Sequence, residues 1–179
     1  MRKLIVSSFV SLDGVVEAPQ NWALALWGEE NKKDAIAKLA ECDAFLFGRV
    51  TYEMFASMAP GLAGDPYYDL LNRFRKYVAS TTLTKTTWNA TLLTGNIVEA
   101  VSALKKQPGK NIIKYGVTSL DRTLLAHDLI DEFNFTFLPF AVGKGLRLFE
   151  GIDVSRLKLR LTGTTEFDNG LVTVSYARK

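Results

Sequence analysis

The sequence predicts an α/β domain whose mostly parallel sheet ends in an antiparallel ribbon. Three observations carry that prediction. Between residues 4 and 126, short apolar runs alternate with segments of helical spacing, the βαβ pattern of a parallel sheet. From Asp131 onward the helical spacing gives way to strand-like runs. Asn169-Gly170, between the last two of these runs, is a two-residue hairpin signal, because both residue types tolerate positive φ.

The elements follow in order. Residues 4–10 form the first predicted strand, and residues 29–41 a helix led by acids, with Ala35, Ile36, Leu39 and Ala40 at helical spacing. Residues 44–47 are a wholly apolar strand. Helices are predicted over 51–58 and 67–76, strands over 77–80 and 91–94, and an amphipathic helix over 98–106 that Pro108-Gly109 ends. A strand at 111–115 and a helix at 119–126 complete the alternating part. Residues 132–139, 157–166 and 171–177 make the antiparallel part. The Gly- and Pro-rich stretch 60–66 reads as an exposed loop.

Composition bounds the function. With 179 residues and 47% hydrophobic content, the chain is expected to build one domain spanning 1–179. A net charge of +3 and 22 scattered Lys and Arg give no concentrated basic face, so nucleic acid is not an expected partner. Cys42 is the only cysteine and His127 the only histidine, which leaves no disulfide and no Cys- or His-based metal pair. The apolar run after Arg2 and Lys3 is short and broken by Ser7 and Ser8, so it reads as a buried strand rather than a leader. No segment has the roughly 20 apolar residues of a membrane span. A cytoplasmic protein is expected.

Four predicted strand ends carry polar or glycine-bearing turns. Tyr115-Gly116-Val117-Thr118-Ser119 runs from a strand through glycine into a helix start, where N–H groups and the helix dipole favour an anion. Phe47-Gly48-Arg49-Val50-Thr51 repeats that design and adds a guanidinium able to grip phosphate. Ser80-Thr81-Thr82 offers hydroxyls, and Ser11-Leu12-Asp13-Gly14-Val15 is a tight Asp-Gly turn. Ligands in open α/β sheets gather beyond the carboxyl ends of strands. Each turn also has a plainer reading: a chain reversal at Gly116, a surface ion pair for Arg49, a capped strand exit at Ser80, a self-bonded turn aspartate at Asp13. No Gly-x-Gly-x-x-Gly opens a first helix, and Gly-Lys-Ser and Gly-x-Ser-x-Gly are both missing, so ordinary dinucleotide, triphosphate and serine-hydrolase sites are disfavoured.

Ser11-Leu12-Asp13-Gly14, Gly48-Arg49-Val50-Thr51-Tyr52-Glu53, Val78-Ala79-Ser80, Tyr115-Gly116 and the run from Leu129-Ile130-Asp131-Glu132 to Gly143-Lys144-Gly145-Leu146-Arg147-Leu148-Phe149 resemble, in that order, the dihydrofolate-reductase-like superfamily. The closest resemblance is to the reductase domain of the bifunctional riboflavin-biosynthesis deaminase/reductase and its stand-alone relatives. The resemblance implies a three-layer domain with helices on both faces of a mixed sheet, NADPH as hydride donor, and a homodimer. By motif, Gly48, Arg49 and Thr51 would hold cofactor phosphate, as would Gly116, Val117, Thr118 and Ser119. Ser80 and Thr81 would lie near the adenosine 2′-phosphate, and Val10, Gly14 and Val15 would border the nicotinamide. Tyr52-Glu53-Met54-Phe55 stands where the riboflavin branch has an Asp-Pro segment and an arginine that grip a ribosyl phosphate. Tyr115 stands where dihydrofolate reductase has a glycine.

The expected activity is NADPH-dependent reduction of a C=N or C=O bond in a small substrate, as in 5-amino-6-(5-phosphoribosylamino)uracil reduction. Trp22, Trp27 and Phe149 are expected to form an apolar substrate wall, Asp13 to supply the proton or hold a water, and Glu53 to be the second carboxylate for that task. The alternative is a nucleotide-binding dimeric module without chemistry, a sensor or interaction protein.

Overall fold

The computed structural model describes residues 1–179. Its contacts divide the chain into two units, residues 1–4 with 32–115, and residues 5–31 with 116–179. The predicted class is present: a mixed, mostly parallel sheet with antiparallel C-terminal strands, and helices.

In the first unit, β2 (Cys42–Gly48) is flanked by β3 (Arg75–Ala79) and β5 (Asn111–Tyr115), and β4 (Ala90–Leu93) extends β3. All three pairings are parallel. Parallel strands are covered on both faces, and β2 accordingly buries Ala44, Phe45, Leu46 and Phe47 in an unbroken run. Between the strands lie α2 (Arg49–Met58), α3 (Pro66–Arg73) and α4 (Ile97–Lys106). Most of α1 (Glu29–Leu39) also belongs here. A ring cluster makes the core: Phe45 stacks on Phe47 with centroids 4.3 Å apart and meets Tyr115 edge-on at 4.7 Å, and Phe55 stacks on Trp88.

The predicted helix 67–76 is shorter than expected and starts earlier. Asp65 caps it by accepting from Tyr67 N at 2.8 Å, Pro66 opens it, and Phe74 turns extended, so Arg75 and Lys76 belong to β3. Lys76 is thereby drawn inside. It is 1% exposed, donates from Nζ to Asn72 O at 2.6 Å, and sits 4.4 Å from the centroid of the Trp88 ring. Burial pushes its ammonium down to about 8. The unfolded chain, with the ordinary lysine value, therefore binds the extra proton between about pH 8 and 10, and stability rises with pH over that window. Below about pH 8 the cost of holding the charge inside is fully present. Lys76→Met removes it, so the variant is expected to gain on the order of 1 kcal/mol at neutral pH after solvent screening, with a flatter stability profile between pH 8 and 10. Urea unfolding at the two pH values checks this; equal slopes for the two proteins contradict it.

In the second unit the strand order is β1 (Leu4–Ser11), β6 (Glu132–Leu138), β8 (Val172–Arg178), β7 (Leu159–Glu166). β1 and β6 are parallel, while β6–β8 and β8–β7 are antiparallel. α5 (Ser119–Ala126) precedes β6. The β7–β8 connection differs from the expected two-residue turn. Gly170 N bonds Phe167 O and Phe167 N bonds Leu171 O, and Gly170 has φ 82° while Asn169 keeps negative φ. A turn followed by one left-handed glycine does the reversal, and Asn169 is left free to use its side chain elsewhere.

Alternation along β6 sorts the unit into two apolar faces. Phe133 and Phe135 point to one side, where Phe149 meets both edge-on at 5.8 and 5.9 Å. Leu138 points to the other, where it packs with Ala23, Phe167 and Leu171 under Phe9, Trp22, Leu26 and Phe140. No helix is long and apolar enough to cross a membrane.

Candidate functional site

In the first unit, the register Gly48↔Ala79 sets the exits of β2 and β3 side by side, so the Gly48-Arg49-Val50-Thr51 turn and Ser80-Thr81 leave the same sheet edge. Gly48 is the N-cap of α2 and has no side chain to satisfy the first N–H groups, and no acid stands in the first turn. Those donors and the dipole are thus directed outward, an arrangement that fits an anion. Arg49 is about half exposed and pairs with Glu53 one turn on, at 3.0 and 3.3 Å. Arg49 therefore has the carboxylate partner of the plainer reading, and Glu53 is engaged as that partner. Ser80 Oγ accepts from Thr82 N at 3.1 Å and Leu83 N at 3.0 Å, ordering the strand exit, and Thr81 is exposed.

Two rings of the segment after Thr51, those of Tyr52 and Phe55, face inward. Tyr52 is 4% exposed, and its hydroxyl donates to Thr87 O and accepts from Thr87 N at 2.7 Å. Phe55 lies in the ring cluster. Tyr115 behaves likewise: its hydroxyl accepts from Tyr67 at 2.9 Å, and burial holds its ionisation well above the usual tyrosine range. Its side chain belongs to the core and leaves the adjoining Gly116 turn to the backbone.

In the second unit, Val10 and Val15 are wholly buried and Gly14 adopts φ 86° in the turn after β1. Gly116 has φ 74° and donates to Ser7 O at 2.8 Å. Thr118 and Asp121 form a capping box, with the Asp121 carboxylate 2.6 Å from Thr118 N. That carboxylate occupies the Thr118 amide, Val117 is buried, and Ser119 stands exposed at the first helical position. The second expected phosphate seat is therefore already partly neutralised from within, which the first is not.

Asp13 is engaged by its own turn and by the loop that faces it. Its Oδ1 accepts from Ser11 Oγ at 2.6 Å and Val142 N at 3.0 Å, and its Oδ2 from Gly143 N at 2.8 Å. These donors hold the carboxyl down at about 2, so it is ionised near neutral pH and has no proton to give. Glu17 acts in parallel, accepting from Leu146 N at 2.9 Å. The two carboxylates and the Val15–Arg147 bridge clasp the loop after β1 to residues 142–147. A carboxylate that bonds amides 129 and 130 residues away has no local sequence signature, which is why the turn reading gave only half of its role.

The expected wall of three aromatics is also divided. Trp22 meets Phe140 edge-on at 5.9 Å and Trp27 meets Phe9 at 5.2 Å, both on the Leu138 side of the sheet. Phe149 lies on the opposite side with Phe133 and Phe135. Asn31, which the sequence does not single out, and Asn169, read there only as a turn residue, are joined by a bond of 2.7 Å. No group of three His, Cys, Asp or Glu side chains is placed to hold a metal ion.

Comparison with known proteins gives a consistent picture. Residues 2–173 match the RibD C-terminal domain family. The chain is 32% identical to YyaP of Bacillus subtilis (strain 168) over 184 residues, covering 98% of this chain and 94% of that one. Among solved structures, a protein of Shewanella sp. PV-4 named for riboflavin biosynthesis superposes with a TM-score of 0.78 at 24% identity, covering 99% of both chains. The diaminohydroxyphosphoribosylaminopyrimidine deaminase/5-amino-6-(5-phosphoribosylamino)uracil reductase of Thermotoga maritima gives 0.68 at 17% identity, over 99% of this chain and 57% of that one. Dihydrofolate reductase of Enterococcus faecalis, complexed with NADP(H), gives 0.64 at 15% identity over 99% and 96%.

Proposed function

We propose that this chain, which belongs to the RibD C-terminal domain family, is an NADPH-dependent reductase of a C=N or C=O bond in a small planar substrate. The observation that carries this reading is the uncapped N-terminus of α2 with Arg49 beside it, an arrangement that suits a phosphate, in a chain of that family. The fit to NADP(H) rests on the donors there and on the hydroxyls of Ser80 and Thr81. When bound, the cofactor supplies the hydride.

The remaining tasks fall to the chain. Gly48, Arg49 and Thr51 bind phosphate, Ser80 and Thr81 the adenosine end, Gly116 and Ser119 phosphate at the second turn, and Val10, Gly14 and Val15 border the nicotinamide. The clasp made by Asp13 and Glu17 holds that last turn in one geometry, which is where orientation is worth most for hydride transfer. With Asp13 ionised and Glu53 engaged by Arg49, the proton for the reduced atom comes from water. Trp22 and Trp27 shield the reacting face. Tyr52 and Phe55 point into the core, so the substrate is one that needs no grip on a ribosyl phosphate from that segment.

Following nicotinamide absorbance with cyclic imines, dihydrofolate and the phosphoribosylaminouracil tests the reading. Consumption of NADPH with an imine or carbonyl substrate is expected, and the phosphoribosyl compound is expected to be the poorer one. Nucleotide binding with no turnover on any of them favours the binding-module alternative.

A further inference from the structure

A pocket in the second unit takes no part in the site described above. It opens at the end of α5, has a volume of about 140 Å³, and is walled by Leu125, Ala126, Ser155, Arg156, Leu157 and Arg178. Its place in the sheet sets it apart. Arg178 follows Ala177, the partner of Glu132 at the start of β6, whereas the turn after β1 lies level with Leu138 at the other end of that strand. The length of β6 between them is roughly 20 Å.

The pocket has a hydrogen-bond donor to spare. Arg178 Nη2 donates to Asp128 Oδ1, while Arg178 Nη1 is buried with no acceptor in the chain. Buried donors are nearly always paired, because nothing else offsets their loss of water. Asp128 has no oxygen left for it, since its Oδ2 faces Arg156 Nη2 at 3.5 Å. Charge, by contrast, is balanced. Arg156 and Arg178 stand against Asp128 and Asp153, the last also on the pocket wall. Asp153 accepts from Ser155 N at 2.9 Å, and the bonds from the Ser155 backbone and hydroxyl hold its carboxyl below the usual carboxylate range, so it is ionised at neutral pH. The carboxyl end of α5 adds partial negative charge. An anion entering here meets no net positive charge, whereas a neutral acceptor uses the free N–H without upsetting the balance. The space suits a ring: Leu125, Ala126 and Leu157 give it apolar walls, and cavities of about 150 Å³ hold benzene.

We propose that this pocket is a second binding site, which takes a neutral, ring-sized molecule through one carbonyl oxygen that accepts from Arg178 Nη1 while the ring lies against Leu125 and Leu157. The Arg178 side chain is 21% exposed, and a small rotation of its guanidinium brings Nη1 to that oxygen while Nη2 keeps Asp128. The site is separate from the cofactor turns and does not depend on the reductase reading.

Titrating the full chain, isotope-labelled for amide NMR, with benzamide, benzoate and toluene tests it, with and without NADPH. The three share a ring and differ in the group that meets Arg178: a neutral acceptor, an anion, and neither. Benzamide is expected to shift the amide signals of Ala126, Ser155 and Leu157 and to bind at least about fivefold more tightly than the other two, the worth of one hydrogen bond. NADPH is expected to leave that affinity unchanged. Arg178→Lys keeps a cation for Asp128 but has no second amino group, so benzamide is expected to fall to the level of toluene. Ala126→Leu, at an exposed position on the pocket wall, fills the space and is expected to abolish the shifts; it decides the matter if the lysine variant does not fold. Benzamide no tighter than toluene, benzoate tighter than benzamide, competition by NADPH, or unchanged binding in either variant overturns the proposal. So does the absence of shifts at these residues with all three compounds, which leaves the pocket to water.

Discussion

Phe45→Ala is expected to lower the unfolding free energy by about 3–5 kcal/mol, a large fraction of what a domain of this kind has to lose. Phe45 is fully buried in the central strand β2 of its unit. Its ring stacks on Phe47 at 4.3 Å, meets Tyr115 at 4.7 Å, and lies 6.3 and 6.4 Å from Phe55 and Phe74. Those neighbours sit on β2, β5, α2 and the end of α3, so no single element can move to fill the space. Tyr115 adds a second cost, because its hydroxyl is tied to Tyr67 and cannot collapse into the cavity without giving up that bond. Phe45→Leu keeps most of the volume and is expected to cost much less. Urea unfolding measures both; a loss below about 1 kcal/mol for the alanine variant would mean that the cluster is not the core of the unit.

The largest functional effect is expected at Arg49. If the α2 N-terminus seats phosphate, Arg49→Ala should weaken NADPH by roughly 5- to 150-fold, the value of about 1–3 kcal/mol for charged hydrogen bonds. Arg49→Lys should recover only part, since an ammonium lacks the planar fork. Glu53→Gln should act in the opposite sense: Glu53 now holds the guanidinium at 3.0 Å and competes with any incoming anion, so its neutralisation is expected to tighten NADPH. The alanine effect should shrink as salt is raised. An unchanged affinity in Arg49→Ala assigns the residue to its exposed ion pair and nothing more.

What the sequence disclosed depended on the range of the interaction. The apolar run 44–47 could only be a buried strand, and the Gly48 and Gly116 junctions are where periodicity puts them, Gly116 with the positive φ that favours glycine. Helix ends were read less well where a cap decides them, as at Asp65, whose side chain pulls the start of α3 forward. Groups whose role is set by distant partners were not legible. Asp13 looked like a turn residue with a spare carboxylate until Val142 and Gly143 were seen to use it. Phe149 looked like a neighbour of Trp22 and Trp27, but the alternation of β6 puts it on the other side. Asn31 follows Glu29 and Glu30 at the acid-led start of its helix, and it is buried there by bonds with Gly28 and the distant Asn169.

NADPH binding underlies every role proposed for the strand-end turns, and thermal unfolding of the wild-type chain in the presence of NADPH reads it. At a concentration about 100 times the dissociation constant, a stabilisation of about 2.7 kcal/mol is expected, seen as a rise of several degrees in Tm, with a smaller rise for NADH. No rise with either nucleotide at millimolar concentration, together with unchanged nicotinamide fluorescence, would contradict it.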